Sequence, residues 1–374
     1  MTNWKYVKTD YTSTTSPAQN IASSETEIAA ITNTKVTNLM ITKSVDTASG
    51  DGNGVTFTYV VTLTTPTGIT RDQLKTILGD GWTNVENSST DVYNSFTITP
   101  VTNNAGSYST SVPNIPYGTK YTVTESELSG WLNIAKSGDT GTISSTASTA
   151  IFTNAQKNDL TLTKTLATGT PNTETGKMFL YEVTLEAPTG MEFTKTSGTG
   201  TALKLYVKNS TNGVEQEIEI NPQTLSYSGG FTNEKFYGDN IDIGTASDSR
   251  RTATFKLHLS SNLADGRKIK NLPYGTDYTV TEDTTEFPAV PSTGTSWKQL
   301  SADPSGTINA SASTANIKNG LVGSLTITKT VSGSAPKTAK TYPFVVELSR
   351  DDTLDPRKST FFKRKLKVCR SEHR

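Results

Sequence analysis

The sequence predicts an all-β chain: tandem Ig-like antiparallel β-sandwich domains in a rod, with one short helix in the first full repeat. Three observations predict it. An asparagine is followed ten positions on by a lysine closing an apolar run, in NTKVTNLMITK (Asn33 to Lys43), NAQKNDLTLTK (Asn154 to Lys164) and NGLVGSLTITK (Asn319 to Lys329). Three copies at one spacing mark a tandem array. Tyr, Phe, Val and Ile alternate with polar residues, the period of half-buried strands. The composition is rich in Thr, Ser, Gly and Asn, yet 35 basic residues balance 35 acidic ones, without the high net charge of a disordered chain.

A chain of 374 residues holds roughly two to three domains at about 150 residues each. The repeat step places the cuts. Residues 1–35 read as the C-terminal remnant of a preceding repeat, 36–156 as a complete sandwich, 157–320 as a second with an insertion at about 186–250, and 321–374 as the truncated start of another with an atypical basic tail. No run approaches the ~18 apolar residues of a membrane span, and no basic-then-apolar leader opens the chain, so export and anchoring signals are expected outside it. The single Cys369 leaves both complete repeats without a thiol, so a staple other than a disulfide is expected. Residues 350–374 carry nine Lys and Arg against four Asp and Glu, a balance that suits nucleic acid or anionic lipid. Nothing in the other repeats resembles that tail, and a shifted reading frame is the simpler account.

In order, WKYVKTDY and EIAAITN (27–33) read as closing strands, matched by WLNIAKSGD…AIFTN and WKQLSADPSG…ANIKN. The first full repeat opens with LMITKSV (39–45), turns through SGDGNG and continues as VTFTYVVTLTT. Asp46, Asp51 and Asn53 match no defined calcium loop and no distal Glu completes one, so no metal is expected. Thr70 before RDQLKTIL and Gly79 after it predict about two helical turns. IPYGT (115–119) and LPYGT (272–276) predict turns with Pro second and Gly fourth; LPYGT has Gly and Thr in the wrong order for a sortase signal. In the second repeat, ALKLYVKN and VEQEIEIN read as a polar two-stranded flap, and FTNEKFYGDNIDIG adds aromatics. The closing and opening strands are separated by a linker of about five residues.

Period two decides which side chains share an interior. Leu39, Ile41, Lys43 and Val45 lie on one face, as do Leu160, Leu162, Lys164 and Leu166, and Leu325, Ile327, Lys329 and Val331. Tyr121, Val123 and Glu125 align, as do Tyr278, Val280 and Glu282; Phe152 accompanies Asn154 and Ile317 accompanies Asn319. Each complete repeat therefore aims one Lys, one Glu and one Asn into an apolar interior. Burial favours the neutral amine and the protonated acid. The amine is then a nucleophile for the Asn side-chain carbonyl, the acid polarises the oxygen and shuttles protons, and ammonia leaves. The plain alternative is a buried Lys–Glu ion pair with an Asn beside it. Two complete triplets at the repeat step favour the reaction.

The LTLTK or LTITK strand, YTVTE and the closing FTN strand, in that order, resemble the isopeptide-containing B-type (CnaB-like) repeats and pilin domains of Gram-positive surface adhesins and pili. The resemblance covers nearly the whole chain to about residue 348. It implies Lys43 and Lys164 as nucleophiles, Glu125 and Glu282 as catalytic acids, Asn154 and Asn319 as acceptors, and Asn33 and Lys329 as family positions whose partners lie outside the chain. IKN lacks the Phe of IFTN, and Asn316 is a neighbouring amide out of phase. The resemblance implies a stalk segment at the extracellular face of the cell wall. Its partners would be neighbouring repeats of the same chain, with wall attachment through a region outside this chain and no cofactor or nucleic acid. The chemistry would be a single intramolecular turnover and not enzymatic. The rival function is an adhesin module that binds host extracellular matrix, protein or glycan through the insertion, judged by whether Trp82, Tyr93, Phe231, Phe236 and Tyr237 form an exposed cluster. With only His258 and His373 available, no His-based triad is expected, and His258 reads as a strand residue on a polar face.

Overall fold

The computed structural model describes residues 3–11, 29–50, 52–84, 90–98, 107–196, 204–220, 241–244, 249–261, 267–302, 305–330, 332–333 and 346. The strand read at 341–348 (but for Val346), the basic tail, Asp51, and Phe231, Phe236 and Tyr237 lie outside these residues.

The chain is all-β. Strands β1 (Trp4–Tyr11) and β2 (Ala29–Val45) pair antiparallel. Then come β3 (Phe57–Thr64), helix α1 (Arg71–Leu78), β4 (Trp82–Asn84), β5 (Thr90–Ile98), β6 (Ser107–Pro116), β7 (Lys120–Glu125), β8 (Trp131–Ser137), β9 (Thr140–Thr142) and β10 (Ser148–Leu166). One sheet runs β6-β2-β10-β8 and the other β4-β5-β3-β7-β9. Their inner faces meet in a core of Leu39, Ile41, Phe57, Tyr59, Val61 and Phe152 among others. The alternating burial of β3 is what period two requires of a strand with one face on the core.

The second sandwich repeats this order. It contains β11 (Phe179–Glu186), β12 (Met191–Thr196), β13 (Lys204–Asn209), β14 (Gln216–Ile220), β15 (Asp242–Ile243) and β16 (Thr252–Leu259). It finishes with β17 (Arg267–Pro273), β18 (Asp277–Glu282), β19 (Thr295–Ala302), β20 (Ser305–Thr307) and β21 (Ser313–Gly323). One sheet is β15-β16-β11-β18-β20; in the other, β10 lies between β17 and β21, and β19 pairs with β21.

In both sandwiches the first and last strands are parallel neighbours. Lys43 lies opposite Phe152 and Val45 opposite Asn154; Lys164 lies opposite Ile317 and Leu166 opposite Asn319. That register puts each Lys and Asn on one inward face, two residues apart along the strand direction.

The expected five-residue linker is absent. β10 is one uninterrupted strand: Gln156 pairs with Trp131 of β8, and the next residue, Lys157, pairs with Pro273 of β17. Backbone groups that find a new neighbour strand as they lose the old one have no reason to turn. β2 likewise runs on from its pairing with β1 into the first sandwich.

The insertion also differs from its reading. β12, β13 and β14 form an antiparallel meander that extends the sheet through Glu219 opposite Lys270 and Ile220 opposite Ile269. Lys204, Glu215, Glu217 and Glu219 are exposed, whereas Phe193, Leu205, Val207 and Ile218 are buried in the core, so it is a part of the sandwich and not a polar flap. Its β13–β14 turn reaches back to the first sandwich, where Gly213 bridges Ala135 and the Val214 N–H donates to the Ile134 carbonyl at 2.9 Å.

Two further expectations shift. The turns are Pro116–Thr119 and Pro273–Thr276, closed by Thr N–H to Pro carbonyl bonds of 3.2 and 3.1 Å. Pro is therefore first, and Gly118 and Gly275 are third, at φ 83° and 81°, the left-handed geometry of a type II turn. Residues 325–329, read as an opening strand, form none: Leu325 is 67% and Ile327 39% exposed. Among the described residues no strand pairs with this stretch, and an extended segment without a neighbour has no ladder to join.

Helix α1 forms where the caps place it. The Thr70 side chain accepts from Gln73 N–H, the Gln73 side chain accepts from Thr70 N–H, and Leu74 and Ile77 are buried. T70A should lower the first sandwich's stability by about 1 kcal/mol, measured as a reduced urea midpoint at unchanged slope.

Candidate functional site

Lys43 is completely buried, so its charge has only protein around it. Its Nζ lies 2.6 Å from Glu125 Oε1 and 4.1 Å from the centroid of the Phe57 ring. Glu125 comes from the facing sheet, opposite Tyr59 on β3. Asn154 Nδ2 donates to the same Oε1 at 2.8 Å, and Asn133 Nδ2 of β8 donates to Oε2 at 2.5 Å. The sequence-derived Lys, Glu and Asn therefore converge on one carboxylate.

The second sandwich assembles the same three. Lys164 Nζ lies 2.8 Å from Glu282 Oε1 and 3.9 Å from the Phe179 ring centroid, and Asn319 Nδ2 donates to that oxygen at 2.7 Å. The Tyr181 hydroxyl lies 2.5 Å from Lys164 Nζ and donates to Glu282 Oε1 at 3.0 Å. Asn316, the out-of-phase amide, is exposed and accepts from Thr163 on the outer face.

Burial pushes both lysines down from 10.5 to about 8, against the opposing pull of Glu125 and Glu282. Each amine is thus far closer to its neutral, nucleophilic form than an exposed lysine at the same pH. Burial, with the nearby carboxylate second, raises the hydroxyls of Tyr59 and Tyr181, which stay protonated.

The Oδ1 atoms of Asn154 and Asn319 are buried without a hydrogen-bond partner. Turning either amide over exchanges N and O, and a protonated glutamate then donates to the orphaned oxygen, drawing charge from the carbonyl carbon. An orphaned buried acceptor is costly, and the turned-over amide would bring it against the carboxyl.

The remaining family positions lie apart from these clusters. Asn33 is exposed on β2 opposite Tyr6, and Lys329 is exposed in the stretch that forms no strand. Asp46 caps a single turn by accepting from Ala48 N–H at 3.1 Å, and among the described residues no group of three or more His, Cys, Asp or Glu is placed to hold a metal. Trp82 packs half-buried against the first core. His258 lies between buried Leu257 and Leu259, on the outward face of β16.

Asn133 and Tyr181 went unread in the sequence. A signal for Asn133 existed: WLNIA carries apolar residues at both parities, the mark of a strand buried on both faces. Trp131 and Asn133 face the first site, and Leu132 and Ile134 join the apolar cluster of the second sandwich. Tyr181 looked like an ordinary core aromatic. A groove of about 660 Å³ at the junction, lined by Glu125, Trp131, Asn133, Asn154, Gln216 and Asn271, opens onto the first site, whereas the Lys164 and Glu282 side chains are fully enclosed.

Residues 37–156 match a family model described as a domain of unknown function (DUF7601), and residues 230–321 match another so described (DUF5979). A search of the curated proteins gave no match. Among solved structures, the chain is similar to the major pilin from Streptococcus pyogenes at 15% identity, over 77% of this chain and 98% of that one, with a TM-score of 0.22. The shaft pilin spaA from Lactobacillus rhamnosus GG gives 14%, 78%, 100% and 0.20, and the pilus-presented adhesin Cpa gives 15%, 57%, 37% and 0.24.

The lysine shifts set a pH dependence. In N154A/N319A, where neither amide carbon is available, both lysines stay free amines. Their folded value near 8 lies below the unfolded 10.5, so between those values the unfolded chain binds more protons and stability rises with pH. Urea midpoints should climb from about pH 8 toward 10 and be flat below that range. Above pH 10 the raised tyrosines reverse the trend, since they ionise near 10.0 only when unfolded.

Proposed function

We infer that the chain is a structural stalk segment of a bacterial cell-surface adhesin or pilus-like protein, in which each complete sandwich closes itself with a Lys–Asn isopeptide bond: Lys43 to Asn154 and Lys164 to Asn319. The observation that carries this reading is the twofold convergence of a buried amine, a carboxyl and an amide within 2.6–2.8 Å contacts, each with the amide oxygen unpartnered.

The ammonium passes a proton to the glutamate, leaving a free amine and a carboxylic acid. The acid donates to Oδ1, the amine attacks Cγ, and the Nζ–Cγ bond forms. Glutamate then takes a proton from Nζ and delivers it to Nδ2; the Cγ–Nδ2 bond breaks and ammonia departs. As the carbonyl re-forms, Oδ1 returns its proton to the glutamate, and the departing ammonia carries that proton off as ammonium; the glutamate ends as the carboxylate it began, the lysine and asparagine are consumed, and the reaction runs once.

The location of the bond suits a load-bearing role. It would join the first and last strands of each sandwich, and β10 is both the last strand of one and the first of the next. Tension along the chain would then pass from bond to bond without peeling the ladders between. The thiol-free repeats have their expected staple in these bonds, as a stalk outside the cell needs. The described strands of the insertion are built into the core and against β8, which favours a structural use over a ligand-holding one.

Intact mass tests the chemistry. The parent should lack about 34 Da, two ammonias at about 17 Da each, and E125A and E282A should each regain one. A parent of full calculated mass would leave only ion pairs. Each bond closes a loop of roughly a hundred residues or more, worth on the order of 4–5 kcal/mol of unfolded-chain entropy. N319A should therefore lower the melting temperature of the second sandwich by about 10 °C in calorimetry.

A further inference from the structure

The two sites share three residues and differ in the fourth. Tyr59 and Tyr181 occupy the same place in register, opposite Glu125 and Glu282. The Tyr59 hydroxyl is buried without a partner, whereas the Tyr181 hydroxyl touches both Lys164 Nζ and Glu282 Oε1. The first carboxylate is held from its other oxygen by Asn133; the matching strand position is Gln299, opposite Asn319 as Asn133 is opposite Asn154, and Glu282 Oε2 has no partner.

We propose that Tyr181 is a catalytic residue of the second site, holding the Lys164 amine in attacking orientation and relaying its proton to Glu282. This rests on the cross-linking reading above. A neutral amine has two N–H bonds and one lone pair. With the Tyr181 oxygen and Glu282 Oε1 both accepting from Nζ, the two N–H bonds are fixed and the lone pair is the valence left for the Asn319 carbonyl carbon. The relay balances: one proton passes from Nζ to the phenol oxygen as the phenol proton passes to Oε1, and the tyrosine is unchanged. In an enclosed site, where water cannot orient the amine or carry its proton, this hydroxyl does both. The first site opens on the junction groove and manages without it.

The test isolates the second bond in E125A, synthesised cell-free and sampled over time for a loss of about 17 Da. E125A should lose it promptly. Y181F/E125A should lose it at least tenfold more slowly, at a rate that climbs with pH through about 8, because the amine has lost one of the two groups that orient it and only the direct contact with Glu282 is left to take its proton. Y59F in E282A, reporting the first bond, should match E282A alone. Equal circular dichroism and melting of Y181F/E282A and E282A would show that Phe is accommodated. Synthesis of E125A with 3-fluorotyrosine, a more acidic phenol of nearly the same size and a weaker acceptor for Nζ–H, should also slow the second bond. Equal rates for E125A and Y181F/E125A, or no effect of fluorotyrosine, would overturn the role of Tyr181 alone. No loss in E125A itself would overturn the cross-linking reading beneath it.

Discussion

Parallel pairing of the first and last strands governs what this chain can do. Among the described strands, the other pairings within each sandwich are antiparallel. At the parallel pair, residues from opposite ends of a sandwich share one inward face at fixed register, with Lys43 beside the Phe152 to Asn154 stretch and Lys164 beside Ile317 to Asn319. The facing sheet then supplies a glutamate from β7 or β18. A cluster assembled this way is held in register, because a slip of one residue in any of its strands would turn that strand's member away from the other two.

Burial does the rest of the chemistry. An ammonium and a carboxylate buried beside Phe57 or Phe179 are costly as charges. The lysine is displaced to about 8 even with its counter-charge in contact. The same desolvation that would weaken an ordinary core brings each amine toward its neutral, nucleophilic form. On the proposed cross-linking, destabilisation of the unlinked state and reactivity toward the linked one have a single cause.

The junction extends this logic along the chain. β8 faces the first site with Trp131 and Asn133 and the neighbouring core with Leu132 and Ile134, and the β13–β14 turn closes over it. The insertion that lengthens the second repeat, 118 positions from Lys164 to Glu282 against 82 from Lys43 to Glu125, is in its described strands a structural layer at this seam. The two sites are consequently unlike: one opens on a groove and leans on Asn133, and the other is enclosed and leans on Tyr181.

Much of this was legible in the residues. Period two, the repeated Asn-to-Lys step and the capping signals around RDQLKTIL located the strands, the helix and the triplets, because strand parity and helix caps are local properties written in a few neighbouring side chains. What the sequence could not determine was everything that depends on a distant neighbour. Lys157 continues a strand because β17 waits beside it, 325–329 fails to form one because none of the described strands does, and Leu205 and Val207 pack inward because β14, docked on β17, offers β13 an edge. Tyr59 and Tyr181 are the same letter in equivalent strands, and only the tertiary arrangement decides which hydroxyl meets an amine. Local pattern fixes the direction in which a side chain points; what it finds there is set by chain folded back from a hundred residues away.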